Sequence, residues 1–137
     1  MKYTTIVFDC DGTLLDTATD LANAVNHVLR THNFPEKSLA EVKAALGNAV
    51  TYLMRQCLPS TVADYELEPY IEEFKIYYGE HLKDTTAPYP GILDMLDALR
   101  EKGYKLAIVS NKIQEGVTPL NKECFGDRLP VAIGERP

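Results

Sequence analysis

Tyr3 to Phe8 is a short run of β-branched and aromatic residues halted by Asp9-Cys10-Asp11-Gly12-Thr13, which predicts a buried strand and a polar turn. From Leu21 the spacing changes. Leu21, Val25, Val28 and Leu29 recur at helical intervals, with Thr17 and Asp20 placed as a capping box ahead of them and Pro35 closing the segment after Asn33. Ser38 and Glu41 form a second capping box, opening a helix through Val42, Ala45 and Leu46 that Gly47 ends or bends. Val50, Leu53, Met54 and Cys57 mark another helix, stopped by Pro59. Pro69 suits a first helical turn, and Ile71, Phe74, Tyr78 and Leu82 continue the amphipathic stripe.

Asp84 to Gly91 reads as a linker, after which strand signals return. Leu93, Leu96 and Leu99 predict a helix that Gly103 terminates, and Lys105 to Val109 a second apolar strand followed by Ser110-Asn111-Lys112. A helix around Val117 to Cys124, despite Pro119, and a strand at Val131 to Ile133 complete the pattern. Strands separated by helices give an α/β fold, a partial doubly wound parallel sheet with a helical insertion after its first strand. The expected boundaries are residues 1–15 and 85–137 for the α/β core and 16–84 for a helical cap.

Composition narrows the chemistry. At 137 residues, 45% hydrophobic and 25% charged, the chain is long enough for about one globular domain and too apolar to remain unfolded. No apolar run approaches the roughly 18 residues of a membrane span, and Thr5 to Phe8 runs straight into Asp9, so neither anchor nor signal peptide is expected. A net charge of −6 repels nucleic acid and anionic membranes, so neither is an expected partner, and an anionic substrate needs a local cation. Cys10, Cys57 and Cys124 are odd in number and far apart, which fits neither a disulfide framework nor a zinc cluster and points to a reducing cytoplasm. His27, His32 and His81 lack metal-ligand spacing and read as surface residues, and Tyr77-Tyr78 reads as packing between helices.

In a parallel α/β sheet, ligands bind beyond the carboxyl ends of the strands, where Asp9, Asp11, Ser110 and Asn111 fall. Asp9 and Asp11, two apart on an extended segment, face the same way. Two such charges about 4 Å apart repel by roughly 4 kcal/mol at an effective dielectric near 20, which Mg2+ would reverse. A carboxylate so held can attack phosphorus to form an acyl phosphate, and a second acid can protonate the leaving oxygen and then activate water. The glycine comes too early in the loop for an EF-hand, and a lone Asp-x-Asp-Gly is equally a solvated turn.

The longer string Ile6-Val7-Phe8-Asp9-Cys10-Asp11-Gly12-Thr13-Leu14-Leu15-Asp16-Thr17 resembles the first motif of the haloacid-dehalogenase-like (HAD) phosphohydrolases, and Val109-Ser110-Asn111-Lys112 resembles their second. Tyr89-Pro90-Gly91-Ile92 looks like the return from a helical cap in the phosphoglycolate phosphatase and β-phosphoglucomutase branch, the former being the nearer match. The resemblance implies Mg2+-dependent hydrolysis of a small phosphate monoester, 2-phosphoglycolate by analogy, through an aspartyl-phosphate intermediate. It makes Asp9 the nucleophile, with its carboxylate on Mg2+, and Asp11 the general acid and base, with its backbone carbonyl on the metal. Gly12, Thr13, Ser110, Asn111 and Lys112 become the phosphate site, and Lys43, Gly47, Asn48 and Arg55 the candidate cap contacts with substrate. Family members continue with a third-motif lysine and a fourth-motif acidic pair, and this sequence stops at Glu135-Arg136-Pro137 before either. The expected alternative is therefore a non-catalytic form acting in binding or assembly, with self-association through an exposed sheet edge.

Overall fold

The computed structural model describes residues 4–135, apart from the side chains of Asn111, Ile113, Glu115 and Glu135, so Tyr3 of the expected first strand lies outside the described residues. In chain order the elements are β1 (Thr5–Phe8), β2 (Leu15–Asp16), α1 (Ala18–Thr31), α2 (Leu39–Ala44), α3 (Val50–Cys57), a 3-10 turn (Asp64–Glu66), α4 (Leu67–Glu80), β3 (Ala87–Pro88), α5 (Ile92–Glu101), β4 (Lys105–Ile113), α6 (Gln114–Phe125) and β5 (Val131–Glu135). The chain divides into two compact units, Met1–Asp16 with Ala87–Pro137, and Thr17–Thr86. No helix among the described residues is long and apolar enough to cross a membrane.

Thr17–Thr86 is a helical unit whose core joins Leu21, Val25 and Val28 of α1 to Met54 of α3 and Phe74 and Tyr78 of α4. The Ser38–Glu41 capping box forms in full: the Glu41 amide donates to the Ser38 hydroxyl at 3.1 Å, and the Ser38 amide donates to the Glu41 carboxylate at 3.0 Å. The expected box at Thr17 and Asp20 does not form. Thr17 caps α1 without a side-chain hydrogen bond, and Asp20, 1% exposed, turns instead to the far end of the same unit. Its two carboxylate oxygens accept from the amides of Thr85 and Thr86 and from both hydroxyls, at 2.7 to 3.0 Å. Four donors converging on one carboxylate compensate the loss of its water shell, and a buried charge needs that compensation. The segment that reads as a linker is thus pinned at its start, and Ala87–Pro88 is pinned too, pairing antiparallel with Leu15–Asp16.

The α/β unit carries a three-stranded sheet in the order β1-β4-β5, with both pairings parallel. Leu106 and Ile108 point into the buried side, together with Val117, Leu120 and Phe125 of α6. On the opposite side Val7, Val109, Val131 and Ile133 stay 44 to 59% exposed. The second strand runs four residues past its expected end, because Ser110-Asn111-Lys112 is accommodated inside β4 as an irregularity. Val109 pairs with Ile133 and Ile113 with Glu135, so three residues on β4 face one, Gly134, on β5. Gln114 bridges the break: its side-chain carbonyl accepts from the Gly134 amide at 2.8 Å, and its amide donates to the Ala132 carbonyl at 3.1 Å. Gly134 admits this because it has no Cβ, which would stand 2.5 Å from the Lys112 carbonyl oxygen and 2.8 Å from Val117 Cγ2.

Two stability predictions follow from these contacts. Asp20→Ala strips the acceptor from the buried Thr86 amide and hydroxyl, each worth about 1–3 kcal/mol when left unmade, so urea unfolding should show a loss of about 2–4 kcal/mol. A loss below about 0.5 kcal/mol, the level of an ordinary surface change, would mean the cluster holds nothing. Gly134→Ala forces the Lys112 carbonyl or β5 to shift, and should cost the about 1–3 kcal/mol typical of overpacking. An alanine variant as stable as the parent would show that the bulge yields freely.

Candidate active site

Asp9 follows β1 directly, and Ser110 lies two residues beyond Ile108, the register partner of Phe8. Parallel pairing therefore sets residues 9–12 beside residues 109–112 at the carboxyl ends of adjacent strands. The turn after β1 is held by its own backbone. The Cys10 carbonyl accepts from the amides of Thr13, Leu14 and Leu15 at 3.0 to 3.3 Å, and the Gly12 amide donates to the Leu15 carbonyl at 3.0 Å. Gly12 sits at φ 76°, in the left-handed region where a side chain would be strained, so the loop needs glycine there.

Asp9 is exposed, and its Oδ1 accepts from the Cys10 amide at 2.9 Å, which fixes the carboxylate at the strand end. The Asp11 side chain is 19% exposed, and its Oδ1 lies 3.2 Å from the Lys112 ammonium, whose side chain is 2% exposed. That oxygen is buried and meets no aligned hydrogen-bond donor, so the contact is an ion pair held by charge rather than by a directed bond. The bulge in β4 carries Lys112 to this place, as bulges beside active sites re-aim side chains. The Lys112 amide donates to the Ser110 hydroxyl oxygen at 3.0 Å, closing a tight local turn.

The neighbouring groups remain neutral. Burial first, then the Asp11 carboxylate, pushes the Cys10 thiol up to about 12 despite the opposing pull of Lys112. Cys10 thus packs as a thiol and adds no third anion between the two acids. The Tyr89 phenol is also raised, by burial and then by the Asp16 and Asp11 carboxylates. Its backbone amide donates to the Leu14 carbonyl at 3.2 Å, which ties the chain after β3 to the same loop.

Of the phosphate-site residues expected from the sequence, Gly12 and Thr13 lie in the exposed turn, and Ser110 and Lys112 lie in the bulge. The Asn111 side chain lies outside the described residues. The four residues expected to read the rest of the substrate belong to the helical unit. Lys43, Gly47 and Asn48 are exposed, on and just after α2, with Gly47 at φ 98°. Arg55 is already engaged: its guanidinium donates to the Val62 carbonyl at 3.0 Å and to Asp64 at 2.7 Å, bracing the loop after α3. The histidines are half-buried rather than freely exposed. Tyr77 stacks between His27 and His81 with ring centroids 4.1 Å from each, and His32 pairs with Glu73 at 2.9 Å. Gln114 and Gly134, which hold the bulge open, escape a reading of the sequence, although a glycine inside an apolar strand is a signal for close backbone approach.

Among the described residues, no group of three or more histidine, cysteine or acidic side chains gathers as a metal site. The exposed Asp9 carboxylate and the Asp11 backbone carbonyl fit Mg2+ nonetheless, since this hard ion takes one or two carboxylates and completes its shell with water and phosphate oxygens.

The family profile of the haloacid dehalogenase-like hydrolases matches residues 6–125. A phosphoglycolate phosphatase of Haemophilus influenzae is 34% identical over 126 residues, which are 87% of this chain and 56% of that protein. One from Aquifex aeolicus is 40% identical over 110 residues, covering 80% of this chain and 50% of its own length. The chain therefore spans about half the length of these curated relatives. A Lactobacillus delbrueckii protein solved as a candidate phosphoglycolate phosphatase superposes with a TM-score of 0.89 at 34% identity, covering 99% of this chain and 66% of that one. With its first-motif acids at the end of β1 and its second-motif serine and lysine in β4, the chain belongs to the haloacid dehalogenase-like hydrolases, in their phosphoglycolate phosphatase-like branch.

Proposed function

We propose that this chain carries the nucleophile, the general acid–base and the phosphate cradle of a phosphatase acting on a small phosphate monoester. The observation that carries the reading is the meeting of Asp11 and Lys112, a hundred residues apart, within 3.2 Å at the ends of paired strands. An Asp9 carboxylate oxygen attacks phosphorus as the ester P–O bond breaks, and Asp11 gives a proton to the departing oxygen. Asp11 then takes a proton from water, whose oxygen attacks the aspartyl phosphate, and Asp9 leaves as a carboxylate with release of inorganic phosphate. Gly12, Thr13, Ser110, Asn111 and Lys112 would hold the phosphoryl oxygens, and the Asp9 carboxylate with the Asp11 backbone carbonyl would hold Mg2+. When bound, the ion supplies charge neutralisation and polarises the phosphoryl group.

Two relatives named phosphoglycolate phosphatase support 2-phosphoglycolate as the substrate. In the same reading Thr17–Thr86 is a substrate-selecting cap with Lys43, Gly47 and Asn48 as its contacts, and the setting is cytoplasmic. Arg55 drops out of the contact set, because its guanidinium is engaged with residues 62 and 64. One observation favours a second reading, association with another copy of the chain: β1 is an edge of the described sheet beside exposed Val7, Val109, Val131 and Ile133.

Phosphate release from 2-phosphoglycolate and a panel of other small monoesters, with and without Mg2+, tests the first reading. Asp9→Asn keeps the side-chain size but removes the anionic nucleophile, so turnover should fall by orders of magnitude with little change in folding. Near-normal turnover in that variant would end the mechanism. Asp11→Asn should slow turnover by about 100- to 10,000-fold. Sedimentation velocity tests the second reading: Val7→Lys, which places a charge on the exposed face, should convert a self-associating chain to monomer. A chain that is monomeric at all concentrations before the change would dispose of that reading.

A further inference from the structure

The Lys112 ammonium has two claims on it. It pairs with Asp11 Oδ1 at 3.2 Å, and it lies in the segment that the proposed function assigns to phosphate. Its side chain is 2% exposed, so its charge requires an anion nearby at all times. Lysine is suited to change anions. The ammonium is a compact point charge with three rotatable donors on a flexible stem, without the fixed fork that locks arginine to one partner. The pair with Asp11 also lacks hydrogen-bond alignment, which leaves it weaker in direction than in charge.

We propose that Lys112 exchanges partners during the reaction cycle: it holds the Asp11 carboxylate in the empty site and moves to the phosphoryl oxygens when a phosphate group binds. Arrival of the substrate then releases the Asp11 carboxylate from its counter-ion, so that it can take a proton from water and pass it to the leaving oxygen, and in the empty site the pair with Lys112 prevents this. The β4 bulge makes this geometry available by placing the lysine amide on the Ser110 hydroxyl and the ammonium on Asp11. The inference rests on the proposed reading of residues 110–112 as a phosphate cradle.

A double-mutant cycle on binding of inorganic phosphate, measured calorimetrically on the full chain in excess MgCl2, distinguishes exchange from simple screening. A lysine that exchanges must break its pair with Asp11 first, so Asp11→Asn should raise phosphate affinity more in the parent than in the Lys112→Met background. A lysine that stays on Asp11 screens its charge, and the gain should then be larger in the Lys112→Met background. Exchange predicts a difference of at least about threefold in the first direction, the lower range for residues in contact. An equal gain, or the opposite order, overturns the exchange and leaves the cradle standing. Failure of the parent chain to bind phosphate at all overturns the cradle and the exchange together. Should Lys112→Met not fold, crystals of the parent chain with and without phosphate decide the matter. Lys112 Nζ should lie within hydrogen-bond reach of the anion and away from Asp11 when phosphate is present, and an unchanged 3.2 Å pair refutes the proposal.

Discussion

Parallel pairing of β1 with β4 is the constraint on which the site depends. Register alone, Phe8 against Ile108, sets the acids that end one strand beside the serine and lysine that interrupt the other. Parallel neighbours cannot be joined by a tight turn, so the chain must travel back to the starting end of the sheet. Here the return contains the whole helical unit Thr17–Thr86 and then α5. A slip of one residue in this pairing would turn every side chain of β1 to the other face, and would take Asp9 and Asp11 away from Lys112 with it. Burial of Leu106 and Ile108 against exposed Val7 and Val109 specifies that register from the sheet side.

The two places where the chain leaves and re-enters the α/β unit are each held by hydrogen bonds. On one side of the boundary Leu15–Asp16 pairs with Ala87–Pro88, and on the other Asp20 collects Thr85 and Thr86. Backbone groups at such a crossing have no helix or long strand to satisfy them, and a carboxylate that accepts from two consecutive amides does this in one step. An aspartate in the first turn of α1 also sits at the positive end of the helix dipole. The carboxylate is thus favoured by its own helix and by the segment just before β3 at once, so the local capping role that its spacing from Thr17 suggests is not taken up.

Segments with a hydrophobic period, an apolar run or a capping box were legible from the amino-acid order, down to the six residues of α2 and the four of β1, and two-residue or irregular strands were not. The stripes Leu21 to Leu29 and Ile71 to Tyr78 became α1 and α4, because a helix that buries one face leaves a repeat that burial alone explains. β2 and β3 have two residues each and no period to detect, and they exist through their mutual hydrogen bonds. The extension of β4 to Ile113 was hidden for a different reason. Ser110-Asn111-Lys112 is polar and reads as a loop, whereas its place in the ladder is set by Gln114 and Gly134, partners that no local window weighs. Asp9, Asp11 and Ser110 could be placed in one crevice from the strand ends alone, and the family pattern added Lys112. The contact between Asp11 and Lys112 needed the bulge.

Charge in the loop after β1 is balanced by exclusion as much as by pairing. Asp9 and Asp11 flank a residue whose side chain is 1% exposed, and any ionisable group there would either add to or offset their repulsion. A buried cation at position 10 would hold both acids permanently, and a buried anion would raise the repulsion of the pair. A thiol pushed up to about 12 does neither across the whole physiological range, while its sulfur fills the space a small apolar side chain would fill. That leaves the offsetting charge to Lys112, which arrives from another strand on a flexible stem and so can be redistributed when an anion enters. A cation built into the loop itself could not be redistributed in this way.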